Sequence, residues 1–113
     1  MKKNELNVLW TNADPVTSEH MVFLYVINAK KKEWFDEVRI IIWGQTAKLA
    51  VENEKISNLI KIAIAEGVVV DGCLACARAL NVEDELKDLG VNLSYMGQPL
   101  TDILKSEAYL LTL

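Results

Sequence analysis

Val38–Trp43 reads V-R-I-I-I-W, and three consecutive isoleucines leave this segment few structural options. β-Branched side chains suit a pleated strand and lose rotamer freedom in a helix. Successive side chains of a strand point to opposite faces. Ile40, Ile41 and Ile42 therefore call for a strand covered on both sides, which is the environment of a parallel sheet. The neighbouring segments fit the same scheme. Leu6–Thr11 is expected as a first strand, Val38–Trp43 as a second and Gly67–Asp71 as a third. Val91–Met96 and Ala108–Leu113 are expected as a fourth and a fifth. Helical patterns fall between them. Alternation of this kind specifies an α/β chain with a five-stranded, mainly parallel sheet in three α/β/α layers. Its crossovers should be right-handed.

The first helix is marked by Asp14 as N-cap and Pro15 at the first helical position. It is expected to run to about Lys32, where Lys30, Lys31 and Lys32 suit the negative end. Its middle, Met21–Ile27, is apolar without interruption. A helix apolar all round cannot lie on the surface of a monomer. One side should meet the sheet and the other a second subunit, so a homo-oligomer is expected. Gln45–Val51 and Lys55–Glu66 read as two further helices. In the second, Ile56, Leu59, Ile60, Ala63 and Ile64 form the inward stripe and Gly67 is the stop. A helix from the cysteines should end near Asn81, which would cap the next one up to Gly90. Gly97-Gln98-Pro99 should open the last, through about Ser106.

At 113 residues, 51% of them apolar, the chain is read as one domain with a real core. A net charge of -4 argues against direct binding of nucleic acid. No apolar run approaches the roughly 20 residues of a membrane span, so no membrane partner is expected. Met1-Lys2-Lys3 leads at once into Asn4 and Glu5, so no secretory signal peptide is expected and a reducing, cytoplasmic location is. In such a compartment a C-x-x-C pair points to redox, transfer or metal chemistry rather than to a structural disulfide.

That pair lies in V-V-V-D-G-C-L-A-C-A-R-A-L, Val68–Leu80. An apolar strand runs into Asp71-Gly72, and Cys73 and Cys76 follow at the mouth of a helix. The first N–H groups of a helix lack partners and carry partial positive charge. A cysteine there is expected to ionise more readily, and the thiolate is the reactive form. The three-residue spacing puts both sulfurs on one helical face. The functional reading makes Cys73 a nucleophile that holds a sulfane sulfur as a persulfide. The competing reading makes it a small buried apolar residue. Cys76 is read as either a resolving thiol or core packing. One such pair is too little for a structural zinc site, so neither metal nor cofactor is expected.

Ligands of parallel α/β sheets gather beyond the carboxyl ends of the strands. The residues expected there are Thr11, Asn12, Gly44, Gln45, Asp71, Gly72, Cys73, Met96 and Gly97. Asp71 is assigned to the turn or cap. Arg78 and His20 are expected to be solvated. Trp10 and Trp43 are read either as pocket walls or as packing. Leu74-Ala75 between the cysteines and Pro99 after the fourth strand depart from the thioredoxin pattern, so a thioredoxin-like fold is disfavoured while disulfide exchange as a chemistry is not. A flavin-phosphate site would want Ser, Thr and Gly after the first strand, and T-N-A-D-P-V-T (Thr11–Thr17) is poor in them.

Three features together resemble the DsrE family of small sulfur-relay proteins, which includes the TusD-type sulfurtransferase subunits. They are the N-terminal strand with its D-P turn, the segment D-G-C-L-A-C-A-R-A-L-N-V, and E-L-K-D-L-G-V-N-L-S-Y-M-G-Q-P-L. The resemblance covers nearly the whole chain. It implies a flavodoxin-like α/β/α fold, assembly as a homotrimer or homohexamer, and a persulfide on the residue corresponding to Cys73. It also implies protein partners that donate and accept sulfur. Cys76 departs from the relay subunits with a single cysteine here. It leaves open whether Cys73 only carries sulfur or also cycles through a disulfide.

Overall fold

A computed structural model describes residues 4–113; Met1, Lys2 and Lys3, part of the leader expectation, lie outside the described residues. The strands are β1 (Glu5–Trp10), β2 (Glu37–Ile42), β3 (Val69–Cys73), β4 (Asn92–Ser94) and β5 (Tyr109–Thr112). They form one sheet in the order β4-β3-β2-β1-β5, and every pairing is parallel. In register, Val8 lies beside Ile40 and Ile40 beside Val70. Ile40, Ile41 and Ile42 are all fully buried, as their sequence requires. The architecture is a flavodoxin-like three-layer α/β/α fold.

Helix α1 spans residues 15–31 as three joined segments, Pro15–Thr17, a π-helical Ser18–Phe23 and Leu24–Lys31. Asp14 caps it, accepting from the Thr17 N–H at 2.8 Å. The remaining helices are α2 (Thr46–Glu52), α3 (Glu54–Glu66), α4 (Leu74–Ala79), α5 (Glu83–Leu89) and α6 (Gly97–Leu104). Asn53 caps α3 through the Ile56 N–H, and Gly67 ends that helix with a φ of 101°. Asn81 does not cap α5 as expected. It takes a left-handed φ of 58°, and Val82 stands at the cap without a side-chain bond.

The two faces of the sheet are covered unequally. From β1 to β4 the chain steps in one direction across the sheet, and same-handed connections put α1 to α5 on one face. Val8, Ile40, Ile42 and Val70 meet Phe23, Val26, Ala47, Ile60, Ala77 and Leu86 there. Trp10 stacks edge-on against Phe23, with centroids 5.0 Å apart, and its indole N–H donates to the Ser18 hydroxyl at 3.0 Å. An aromatic pair of this geometry contributes about 1 kcal/mol beyond burial. The β4-to-β5 connection returns across the sheet and carries α6 onto the other face. That face has a smaller core of Ile41, Cys73 and Met96, with Leu9, Trp43, Cys76 and Ile103 packed against it. The cysteines belong to this second, thinly covered layer.

Candidate functional site: a thiol pair at the end of the third strand

β3 delivers Cys73 to its position. Gly72 makes that strand possible, because a Cβ there would stand 2.9 Å from Leu93 Cδ2 and 3.1 Å from Val91 Cγ1. Only glycine lets β3 and the β4 segment approach this closely. Asp71-Gly72 is thus strand, not the expected turn, and β3 continues through Cys73, beside Ser94 of β4.

Cys73 is both the last residue of β3 and the N-cap of α4. Its sulfur accepts from the Cys76 N–H at 3.3 Å. The two cysteines pack in one cluster, and neither is in a disulfide. A second backbone donor comes from a different element. The Gly44 N–H, in the turn after β2, donates to Cys76 Sγ at 3.4 Å. That turn is fastened by Thr46, whose hydroxyl donates to the Trp10 carbonyl at 2.8 Å and accepts from the Trp43 N–H at 3.1 Å.

Burial separates the two sulfurs. Cys73 is 6% exposed under Ile41 and Met96, whereas Cys76 is half-buried. Burial pushes the Cys73 thiol above its ordinary range, and the neighbouring Cys76 thiol adds to this. The N–H groups of Cys76 and Ala75 pull the other way and do not prevail. The expectation that Cys73 ionises more readily is therefore corrected. Desolvation disfavours the charged form more than the helix end favours it.

The other expected residues divide into those at the thiols and those elsewhere. Gly44 touches Cys76, and Met96, itself 3% exposed, roofs Cys73. Gly97 opens α6 with open space around it. Gln45 is exposed at the start of α2. Thr11 is tied to the C-terminus, its hydroxyl donating to the Leu113 carbonyl at 3.0 Å. Asn12 accepts from the Asp14 N–H at 2.9 Å and serves the α1 turn. Asp71 lies mid-strand, ion-paired to Arg39 and bonded to Asn92 at 3.3 Å. Gly72 faces the larger core, beside Ile42, Val91 and Leu93. Trp43 packs in the cysteine cluster, while Trp10 is buried in the main core. Arg78 reaches outward to Glu83 and Tyr95, and His20 is exposed beside Glu19.

Sequence reasoning missed Ile41, Ile103 and Arg39. Ile41 was legible from alternation, since it shares a face with Leu9 and Cys73 in the paired register. A lone arginine among isoleucines was the signal for Arg39, whose partner could only be found across the sheet. Among the described residues no cluster of three or more His, Cys, Asp or Glu side chains could hold a metal. No described helix is long and apolar enough to cross a membrane.

No protein-family model matches the chain, and no curated protein matches it. Two solved structures are similar. The conserved protein of unknown function BT1422 from Bacteroides thetaiotaomicron is 29% identical over 97% of this chain and 95% of that one, with a TM-score of 0.95. The ychN protein from E. coli is 18% identical over 100% of each chain, with a TM-score of 0.75, a likeness of fold.

Proposed function

We propose that this chain carries sulfur: the Cys73–Cys76 pair accepts a sulfane sulfur from a persulfide donor and yields it to an acceptor thiol. The observation that carries the reading is the pair itself. Two free thiols pack in one cluster at the carboxyl end of a central strand, each sulfur receiving a separate backbone N–H. Fixed N–H dipoles of this kind stabilise negative charge on sulfur, whether thiolate or persulfide. The resemblance of Asp71–Val82 and Glu85–Leu100 to DsrE-type relay proteins supports the same chemistry. Acceptance forms a bond between a cysteine sulfur and the donor's outer sulfur while the donor's own S–S bond breaks. The donor leaves as a thiolate, so sulfur moves without net oxidation.

Incubation with a persulfide donor followed by intact-mass measurement tests this. One added sulfur is expected on the wild-type chain at early times and none on the Cys73→Ser/Cys76→Ser double variant. A second reading, a dithiol redox protein, is favoured by the close packing of the two cysteines. It would show an intramolecular disulfide under mild oxidant and no sulfur uptake. Unreactive thiols in both assays would leave a non-catalytic interaction subunit. We also infer a homo-oligomer, because Val16, Met21 and Leu24 of α1 lie 65%, 40% and 54% exposed. Light scattering at working concentration, giving the mass of a single chain, would refute that assembly.

A further inference from the structure

We propose that Cys76, rather than Cys73, is the sulfur that meets the donor, and that Cys73 is the sheltered thiol that closes onto it; this rests on the sulfur-carriage reading above. Three independent observations separate their roles. Cys73 lies under Ile41 and Met96, whereas Cys76 is half-buried. The N–H aimed at Cys76 comes from Gly44, outside the cysteine segment, so that sulfur sits between two elements rather than within one turn. Gly44 holds a φ of 71° and, its chain neighbours apart, has nothing within 4 Å of where a Cβ would be, so this side of the turn that supplies the donor is open.

The steps balance as follows. Cys76 gives up its proton and its thiolate attacks the outer sulfur of a low-molecular-weight persulfide, R–S–S–H. A Cys76 S–S bond forms, the donor S–S bond breaks, and R–S⁻ leaves and takes up a proton. With an acceptor thiolate present, that thiolate attacks the outer sulfur and Cys76 is restored. Without one, Cys73 loses its proton to solvent and attacks Cys76 Sγ. The Cys73–Cys76 disulfide forms, the bond to the outer sulfur breaks and hydrosulfide departs. The two thiols are then oxidised by two electrons and the carried sulfur is reduced by two. An external dithiol reductant returns the chain to its starting state. The high Cys73 pKa slows this closure near neutral pH and preserves the loaded state for an acceptor.

Glutathione persulfide is the probe. Full-length wild type, Cys73→Ser and Cys76→Ser are loaded, quenched by alkylation, and read by intact mass and fragment-ion mapping. Cys73→Ser should hold one added sulfur on Cys76. Wild type should carry its first sulfur on Cys76, then lose two hydrogens and release one hydrosulfide per disulfide. Cys76→Ser should load at least about tenfold more slowly, as expected for a sheltered, less ionised thiol. Loading of Cys76→Ser at the wild-type rate, with the first wild-type sulfur on Cys73, overturns the assignment and leaves sulfur carriage standing. Failure of wild type to take up sulfur overturns the carriage reading itself. The early wild-type mapping needs no variant, so a variant that fails to fold does not shelter the assignment.

Discussion

Met96→Ala tests whether tertiary packing sets the reactivity of Cys73. Met96 is buried, packs against Cys73 and Ile41, and precedes α6. Truncating a buried methionine costs about 2 to 5 kcal/mol. Met96 sits at the edge of the smaller core, where α6 can settle inward, so a cost near about 2 kcal/mol is expected. For a chain of this size that lowers Tm by roughly 8 to 10 °C. The local effect is the informative one. With the roof removed, the desolvation that raises the Cys73 pKa falls, so alkylation of Cys73 in a Cys76→Ser background should accelerate about tenfold near neutral pH. Global unfolding would also expose the thiol, so Ile60→Ala is the control. Ile60 is fully buried in α3 against the opposite face, and its loss should destabilise comparably. The measurement is iodoacetamide labelling followed by mass spectrometry, at matched distance below each Tm. Equal labelling in the two variants would refute the reasoning, because thiol access would then follow overall stability and not Met96.

Three further outcomes follow from the same geometry. Gly72→Ala should cost about 1 to 3 kcal/mol by overpacking, since the new methyl meets the stiff, buried Val91 as well as Leu93; urea unfolding measures it. Arg39→Met should destabilise the chain by about 1 kcal/mol by leaving Asp71 only Asn92 as partner, and Asp71→Asn in the Arg39→Met background should recover part of the loss. The Thr17 N–H holds the Asp14 carboxyl below the ordinary carboxylate range. A depressed folded-state pKa gives stability present above the unfolded pKa and lost as pH falls through the folded one. Asp14→Ala should therefore flatten the acid limb of the stability profile, read as the urea midpoint against pH.

The fold was legible where a residue's environment follows from its neighbours in sequence. Ile40–Ile42 demanded two covered faces, and Asp14-Pro15 marked the start of α1 to the residue. What failed depended on distant residues. Asp71-Gly72 reads as a turn by itself, yet it stays in the strand because Arg39, Asn92 and Leu93 lie beside it. Asn81 reads as a cap, but it supplies the left-handed residue that turns α4 toward α5. The place of Cys73 at the end of β3 was likewise readable, and its burial was not. The roof comes from Met96, on the far side of α5 and β4 in the chain, and from Ile41 on the neighbouring strand.

The direction of the Cys73 shift bears on what the pair is built to do. A thiol exposed at a helix end is tuned for fast attack, and one sealed among apolar side chains is tuned to wait. Cys73 has a backbone donor on a sulfur that is largely covered, so charge there is disfavoured while the roof is in place. If Cys76 carries the persulfide, an electrophilic sulfur stands beside Cys73 within the same cluster. Closure is then limited by deprotonation of Cys73, and its rate should climb with pH through the alkaline range, past the point where an ordinary thiol has levelled off. A closure rate in loaded wild type that is flat across that range would show that deprotonation of Cys73 is not what holds the sulfur in place.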